Sequence, residues 1–253
     1  MRTNWDIKTS SHSTITFDQE SQTKLAAKVV ASWSGNHAHY IVSEAAECYA
    51  NQPQHVKRSV VFIKNPGYFI VWDYISASKN KKQIDWQLLL YNFDRKSELI
   101  KNNDCQWSLL RPRTKLDIFT ASTAGVKSYI EEGIMHIDYS YLKGIDKQGT
   151  PGSAIKLRLS TTEPTEQMSF ISVLYPQAAG KTNERMKIQF QPEDPGRGRL
   201  EIKCDAFTDT VIFYTISDTK FPANRSAIDI SRSDGSQVIF NIHLSEKPEK
   251  IHD

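Results

Sequence analysis

Short runs in which apolar and polar residues alternate, interrupted at close intervals by Gly, Pro, Asn and Asp, restrict the fold of this chain more than any other feature. An alternation of period two sends successive side chains to opposite faces, which is strand geometry; a helix needs apolar residues three and four apart. The clearest pair is Ser59-Val60-Val61-Phe62-Ile63 and Tyr68-Phe69-Ile70-Val71-Trp72-Asp73-Tyr74-Ile75, joined by Lys64-Asn65-Pro66-Gly67. Proline presets a negative φ and glycine accepts a positive one, so the connection predicts a tight turn and the pair a hairpin. Further strands are predicted at 84–90, 116–120, 135–139, 154–159, 168–174, 185–190, 200–204, 210–215, 227–230 and 237–242. The stretch 24–33 has the Ala and Lys content of a helix, but Val29-Val30 and Ser32-Trp33-Ser34 favour a strand. The stretch 191–198, with two Pro and two Gly, reads as a loop or a boundary between sheet layers.

Strands without helices must bury each sheet's apolar face against another sheet. The expected fold is therefore all-β, a large antiparallel β-sandwich. Residues 1–190 would form its main body, 191–244 its closing strands or a small β subdomain, and 245–253 a charged, frayed tail. A length of 253 residues is enough for a sizeable core. No run approaches the roughly 20 apolar residues of a membrane-spanning helix. The 32 Lys and Arg against 29 Asp and Glu leave a net charge of +3, spread evenly rather than gathered in a basic stripe. Neither a membrane nor a nucleic acid is an expected partner. Cys48, Cys105 and Cys204 are odd in number and far apart, so they say nothing of the redox compartment. The start, Met1-Arg2-Thr3-Asn4-Trp5-Asp6, has no apolar signal region, so no secretory leader is expected in this chain.

Candidates for chemistry are few. On a strand, His37-Ala38-His39 would point both rings to one face, where a third residue could complete a zinc site. The competing reading makes Gly35-Asn36-His37 a solvated turn. His55 lies in a turn-like run, and His136 and His243 each stand alone in a strand pattern, where a hydrogen-bonded imidazole is the commoner role. Glu131-Glu132-Gly133 reads as a solvated turn and Arg197-Gly198-Arg199 as a short basic turn. Asp73, inside an apolar strand, is expected to accept hydrogen bonds from neighbouring backbone or from an Arg such as Arg58 across the hairpin, a buried structural pair being favoured over a functional role. Nucleophile-elbow, phosphate-loop, dinucleotide and metalloprotease motifs do not occur. Most of the five Trp, ten Tyr and eleven Phe must fill the core. Arg111, Arg113, Tyr139 and Tyr141 form the mixture of cations and rings that suits an acidic glycan.

The order of these segments resembles a known family. His12-Ser13-Thr14-Ile15-Thr16-Phe17-Asp18 followed by Ser21-Gln22 is similar to the H-N-T-(apolar)-x-(apolar)-D-G stretch of the heparinase II/III-like polysaccharide lyases. Glu47-Cys48-Tyr49, then Val56-Lys57-Arg58-Ser59-Val60-Val61-Phe62-Ile63 and Tyr68-Phe69-Ile70-Val71-Trp72-Asp73, resemble that family's strand pair. Leu116-Asp117-Ile118 and Phe170-Ile171-Ser172-Val173-Leu174-Tyr175-Pro176 suit its closing strands. The resemblance is good over about the first 175 residues and looser beyond.

The resemblance implies an N-terminal (α/α) toroid followed by a supersandwich-like β-sandwich, and cleavage of uronate-containing polysaccharides by β-elimination. That reaction requires the uronate carboxylate to be neutralised, a base for the C5 proton and an acid for the leaving oxygen. In the family these groups come chiefly from the toroid and an H-x-H segment, which would lie upstream of Met1. The chain is thus expected to hold no catalytic residues of its own. His12 matches the histidine that binds a structural zinc in some members, with Ser13 in place of the usual Asn. The implied partners are an acidic polysaccharide, such as a glycosaminoglycan or alginate, and an upstream toroid domain or second chain. The implied location is periplasmic or secreted. A different class of function, a non-catalytic carbohydrate- or protein-binding module, fits the same strands. A complete lyase with its site moved to His37, His39 and Tyr40 is a third reading.

Overall fold

Period-two segments become strands, and their two faces decide how the sheets stack. The computed structural model describes residues 9, 12–77, 80–134, 150–180, 186–216, 225–235 and 237–246. Among these, all strand pairings are antiparallel and three sheets form. The central sheet has eight strands in the order β2 (Lys28–Ser34), β3 (Ala38–Glu44), β4 (His55–Ile63), β5 (Tyr68–Ser76), β12 (Gln167–Ala178), β9 (Thr114–Ser122), β8 (Gln106–Leu110) and β7 (Glu98–Asn103). A four-stranded sheet follows the order β1 (Ile15–Phe17), β6 (Ile84–Tyr91), β11 (Ala154–Thr161) and β10 (Val126–Gly133). A five-stranded meander runs β13 (Lys187–Asp194), β14 (Arg197–Cys204), β15 (Phe207–Ile216), β16 (Arg225–Ser233) and β17 (Val238–Ser245). Residue 190, the expected division of the chain, lies within β13.

The central sheet is the middle layer of the sandwich. Along β5, Tyr68, Ile70, Trp72 and Tyr74 face the five-stranded sheet and meet Leu200, Val211, Phe213 and Ile228. On the opposite face Ile75, with Val56, Ile118 and Phe170, packs against Ile15, Phe17, Ile84, Trp86 and Leu157 of the four-stranded sheet. A strand buried on both faces loses its polar alternation, which is why β5 reads as an almost continuous apolar run. The predicted hairpin is β4–β5, in register from His55↔Ser76 to Ile63↔Tyr68. Its turn ends on Gly67, whose φ of +102° only glycine adopts without strain.

Several local expectations are corrected. The stretch 191–198 is not a loop: β13 continues to Asp194, β14 starts at Arg197, and a bulge near Pro192 absorbs the irregularity. Pro192 is tolerated because β13 is an edge strand with ladder bonds on one side only. Arg197-Gly198-Arg199 accordingly opens a strand. Glu131-Glu132-Gly133 ends β10 and pairs with β11, where a cross-strand cation row replaces solvent. His55 begins β4 and is buried. The stretch 24–33 does yield a strand, from Lys28. The predicted strand at 135–139 lies outside the described residues.

Candidate functional site

Arg111 and Arg113 occupy the turn between β8 and β9, closed by the Arg111 amide donating to the Thr114 carbonyl at 2.9 Å. Arg113 is exposed. The Arg111 guanidinium lies against the end of β6: Nη1 donates to Ser97 Oγ at 2.5 Å and Nη2 to Asp94 Oδ2 at 2.6 Å. Burial would raise the Asp94 carboxyl, but the Lys96 amide, the Arg111 charge and hydrogen bond and the Lys96 charge together hold it below the usual carboxylate range. Leu89, Leu90, Tyr91, Phe93, Asp94, Leu109 and Arg111 line a depression of about 460 Å³. Tyr91 and Phe93 stack with ring centroids 5.6 Å apart, and Tyr91 is 61% exposed. An exposed ring beside a guanidinium offers a sugar both a flat apolar face and a fixed donor fork. Arg111 is already ion-paired, so free charge for a carboxylate comes from Arg113, two residues on.

Sequence reading found Arg111 and Arg113 but not Tyr91, Phe93 or Asp94. The usable signal was the polar-aromatic run Tyr91-Asn92-Phe93-Asp94-Arg95 directly after a strand. What it lacked was the packing of β6 against β8. Tyr139 and Tyr141 lie outside the described residues.

The histidines are dispersed. His37 lies in the β2–β3 turn and stacks on Phe240, with centroids 4.6 Å apart. His39 is on β3, its Nδ1 2.8 Å from Ser34 Oγ. The two rings therefore do not converge on one ligand. Tyr40 points into the core, and burial pushes its hydroxyl up to about 12. His12 is exposed just before β1. Among the described residues no group of three or more His, Cys, Asp or Glu is placed to hold a metal ion, and one imidazole does not make the four-coordinate site that a structural zinc requires.

Elsewhere several charged and buried polar side chains are committed to one another. Asp73, 2% exposed, accepts from Arg58 Nε at 2.6 Å, Arg58 Nη2 at 3.0 Å and Trp86 Nε1 at 2.9 Å. Glu131 takes Lys156 Nζ at 2.6 Å and Arg158 Nη2 at 2.7 Å, and Arg158 reaches Asp85 at 3.4 Å. Glu131 is consequently lowered: burial would raise it, but the Lys156 and Arg158 contacts prevail. Tyr68 donates to Asp209, which is also gripped by Arg232 at 2.6 Å. Burial, then the Asp209 charge, push Tyr68 well above its ordinary value. Tyr49 is likewise raised to about 12 by burial. Trp86–Asp73 and Tyr68–Asp209 join one sheet to another, the Glu131 network ties strands within one sheet, and all of these groups are poorly suited to exchange protons with a substrate.

Comparison with known proteins completes the picture. The family profile described as "Heparinase II/III-like, C-terminal" matches residues 1–185. Among solved structures, a "Heparinase III-BT4657 gene product" superposes with a TM-score of 0.66 at 18% identity, covering 83% of this chain and 31% of that one. A second heparinase III structure gives 0.63 at 17% identity, covering 84% and 30%. Heparan sulfate lyase HepC from Pedobacter heparinus gives 0.60 at 20% identity, covering 80% and 30%. The chain thus spans about a third of the length of each structure, and at these identities the likeness is one of fold. A search of the curated proteins gives no match. The profile covers well over half of the chain, including the His12 stretch and the Arg58–Asp73 hairpin: the chain belongs to the heparinase II/III-like, C-terminal family.

Proposed function

We propose that the chain serves as the β-sandwich portion of a polysaccharide lyase that cleaves uronate-containing glycans by β-elimination, and that it does not turn over substrate alone. The family membership over residues 1–185 carries this reading. The chemistry of the described residues supports it. A β-elimination needs a base able to take a proton near neutral pH, yet Tyr40 and Tyr49 are raised to about 12 by burial. His55 is buried against Glu44 at 3.1 Å. On this reading the proton-transfer groups come from a helical toroid, in the same polypeptide or a second chain. The sandwich walls one side of the glycan cleft and contributes the Tyr91, Phe93, Arg111 and Arg113 surface. A polysaccharide substrate places such an enzyme in the periplasm or outside the cell.

The test mixes the 253-residue chain with heparan sulfate and with alginate and follows absorbance of the unsaturated product. The expected outcome is binding without turnover. Clear product formation by the chain alone overturns the reading.

A further inference from the structure

A second and larger hollow, of about 840 Å³, opens on the other face of β8. It exists because the five-stranded sheet is narrower than the central one. Among the described residues, its edge strand β13 meets the central sheet at β9, and β8 and β7 lie beyond that meeting. A sheet face built to be packed carries apolar residues. This one carries Asn102, Gln106, Ser108, Lys115, Asp117 and Gln177.

These polar groups are pre-oriented. Ser108 and Asp117 are register partners on β8 and β9. The Asp117 carboxylate accepts from Ser108 Oγ at 2.7 Å, Lys115 Nζ at 2.8 Å and Gln177 Nε2 at 2.8 Å, and Asn102 Nδ2 donates to Ser108 Oγ at 2.9 Å. The network uses the NH2 groups of Asn102 and Gln177 and leaves their carbonyl oxygens, with the remaining ammonium hydrogens of Lys115, for a ligand. The floor is apolar, formed by Phe119, Val173, Met186 and Ile188. The opposite wall is β13, whose outer backbone row lies beyond the ladder with β14. Lys187 stands exposed on the rim of that wall.

We infer that this groove binds a linear acidic polysaccharide lying along β13, at a place separate from the Arg111 depression. Sugar hydroxyls both donate and accept, as the amide wall requires, and pyranose C–H faces match the floor. Two lysines against one aspartate favour an anionic chain over a neutral one. The volume falls within the roughly 300–1,000 Å³ of ligand sites. The choice of an acidic glycan rests on the function proposed above; the place of binding rests on the groove alone.

The experiment titrates oligosaccharides of heparan sulfate and of alginate into the full chain by calorimetry. It compares Ser108→Trp, which fills the groove, and Lys187→Glu, an exposed change that spares the fold, each with and without Arg111→Ala. The groove is supported when both variants weaken binding by about tenfold or more, the scale of one lost charge-assisted contact, irrespective of residue 111. Should Ser108→Trp unfold in a thermal scan, Lys187→Glu decides by itself. Unchanged affinity in the groove variants overturns the groove while leaving the function proposed above intact. No binding by the unmodified chain overturns both. Loss of a dimer in light scattering, with glycan affinity unaltered, overturns the groove as a glycan site and makes β13 a pairing edge.

Discussion

Asp73 is almost sealed from solvent, and three donors from two sheets hold its carboxylate. Replacing it with asparagine keeps the shape but strands the Arg58 guanidinium, which also donates to the Ser13 carbonyl at 2.8 Å. Breaking a buried pair of this kind costs about 3–5 kcal/mol, so Asp73→Asn is expected to lower the urea midpoint strongly at pH 7. Glu44 gives a pH signature. Burial raises its carboxyl, but the His55 hydrogen bond, the Val56 and Ala46 amides and the His55 charge together bring it below the ordinary 4.5. A folded value below the unfolded one stabilises fully above about 4.5 and is lost as pH falls through the folded value. The melting-temperature gap between the native chain and Glu44→Gln should therefore narrow on acidification below pH 4.5; a gap independent of pH would exclude this role. Arg58–Asp73 was legible beforehand because hairpin register sets it. Trp86 on Asp73, and Glu44 on His55, were not, because each partner comes from another element.

At the scale of the element, the β13–β14 hairpin shows where local signals mislead. Two Pro and two Gly within eight residues count as breakers when neighbours are ignored. On an edge strand the proline loses no ladder bond, and Gly198 is required by a close approach rather than a turn. A Cβ there would meet the Phe190 ring at 2.6 Å and the Gln191 carbonyl at 3.3 Å. Overpacking of this sort costs about 1–3 kcal/mol. Gly198→Val should lower stability by that amount in chemical denaturation, and a neutral result would show that Phe190 swings aside freely. The same lesson applies to Glu131: its neighbours Lys156 and Arg158 belong to β11, and only strand pairing turns an apparently solvated turn into an ion ladder.

For the whole molecule, the middle position of the central sheet has a direct consequence. The family profile ends at residue 185, yet Tyr68, Ile70, Trp72 and Phe213 belong to one core that needs the five-stranded sheet. A chain cut after residue 185 would expose that face, an apolar patch of the kind that drives aggregation. It should bind a hydrophobic dye and precipitate, whereas a soluble, cooperatively melting product would show that the last sheet is dispensable. The all-β class, the central hairpin and the family were determined by the sequence alone, because alternation and turn chemistry act between residues close along the chain. The stacking order of three sheets, the Trp86–Asp73 and Tyr68–Asp209 hydrogen bonds between them and both hollows beside β8 were decided only by tertiary structure. Each depends on which strand edges and faces meet, and period-two alternation is identical whichever sheet lies opposite.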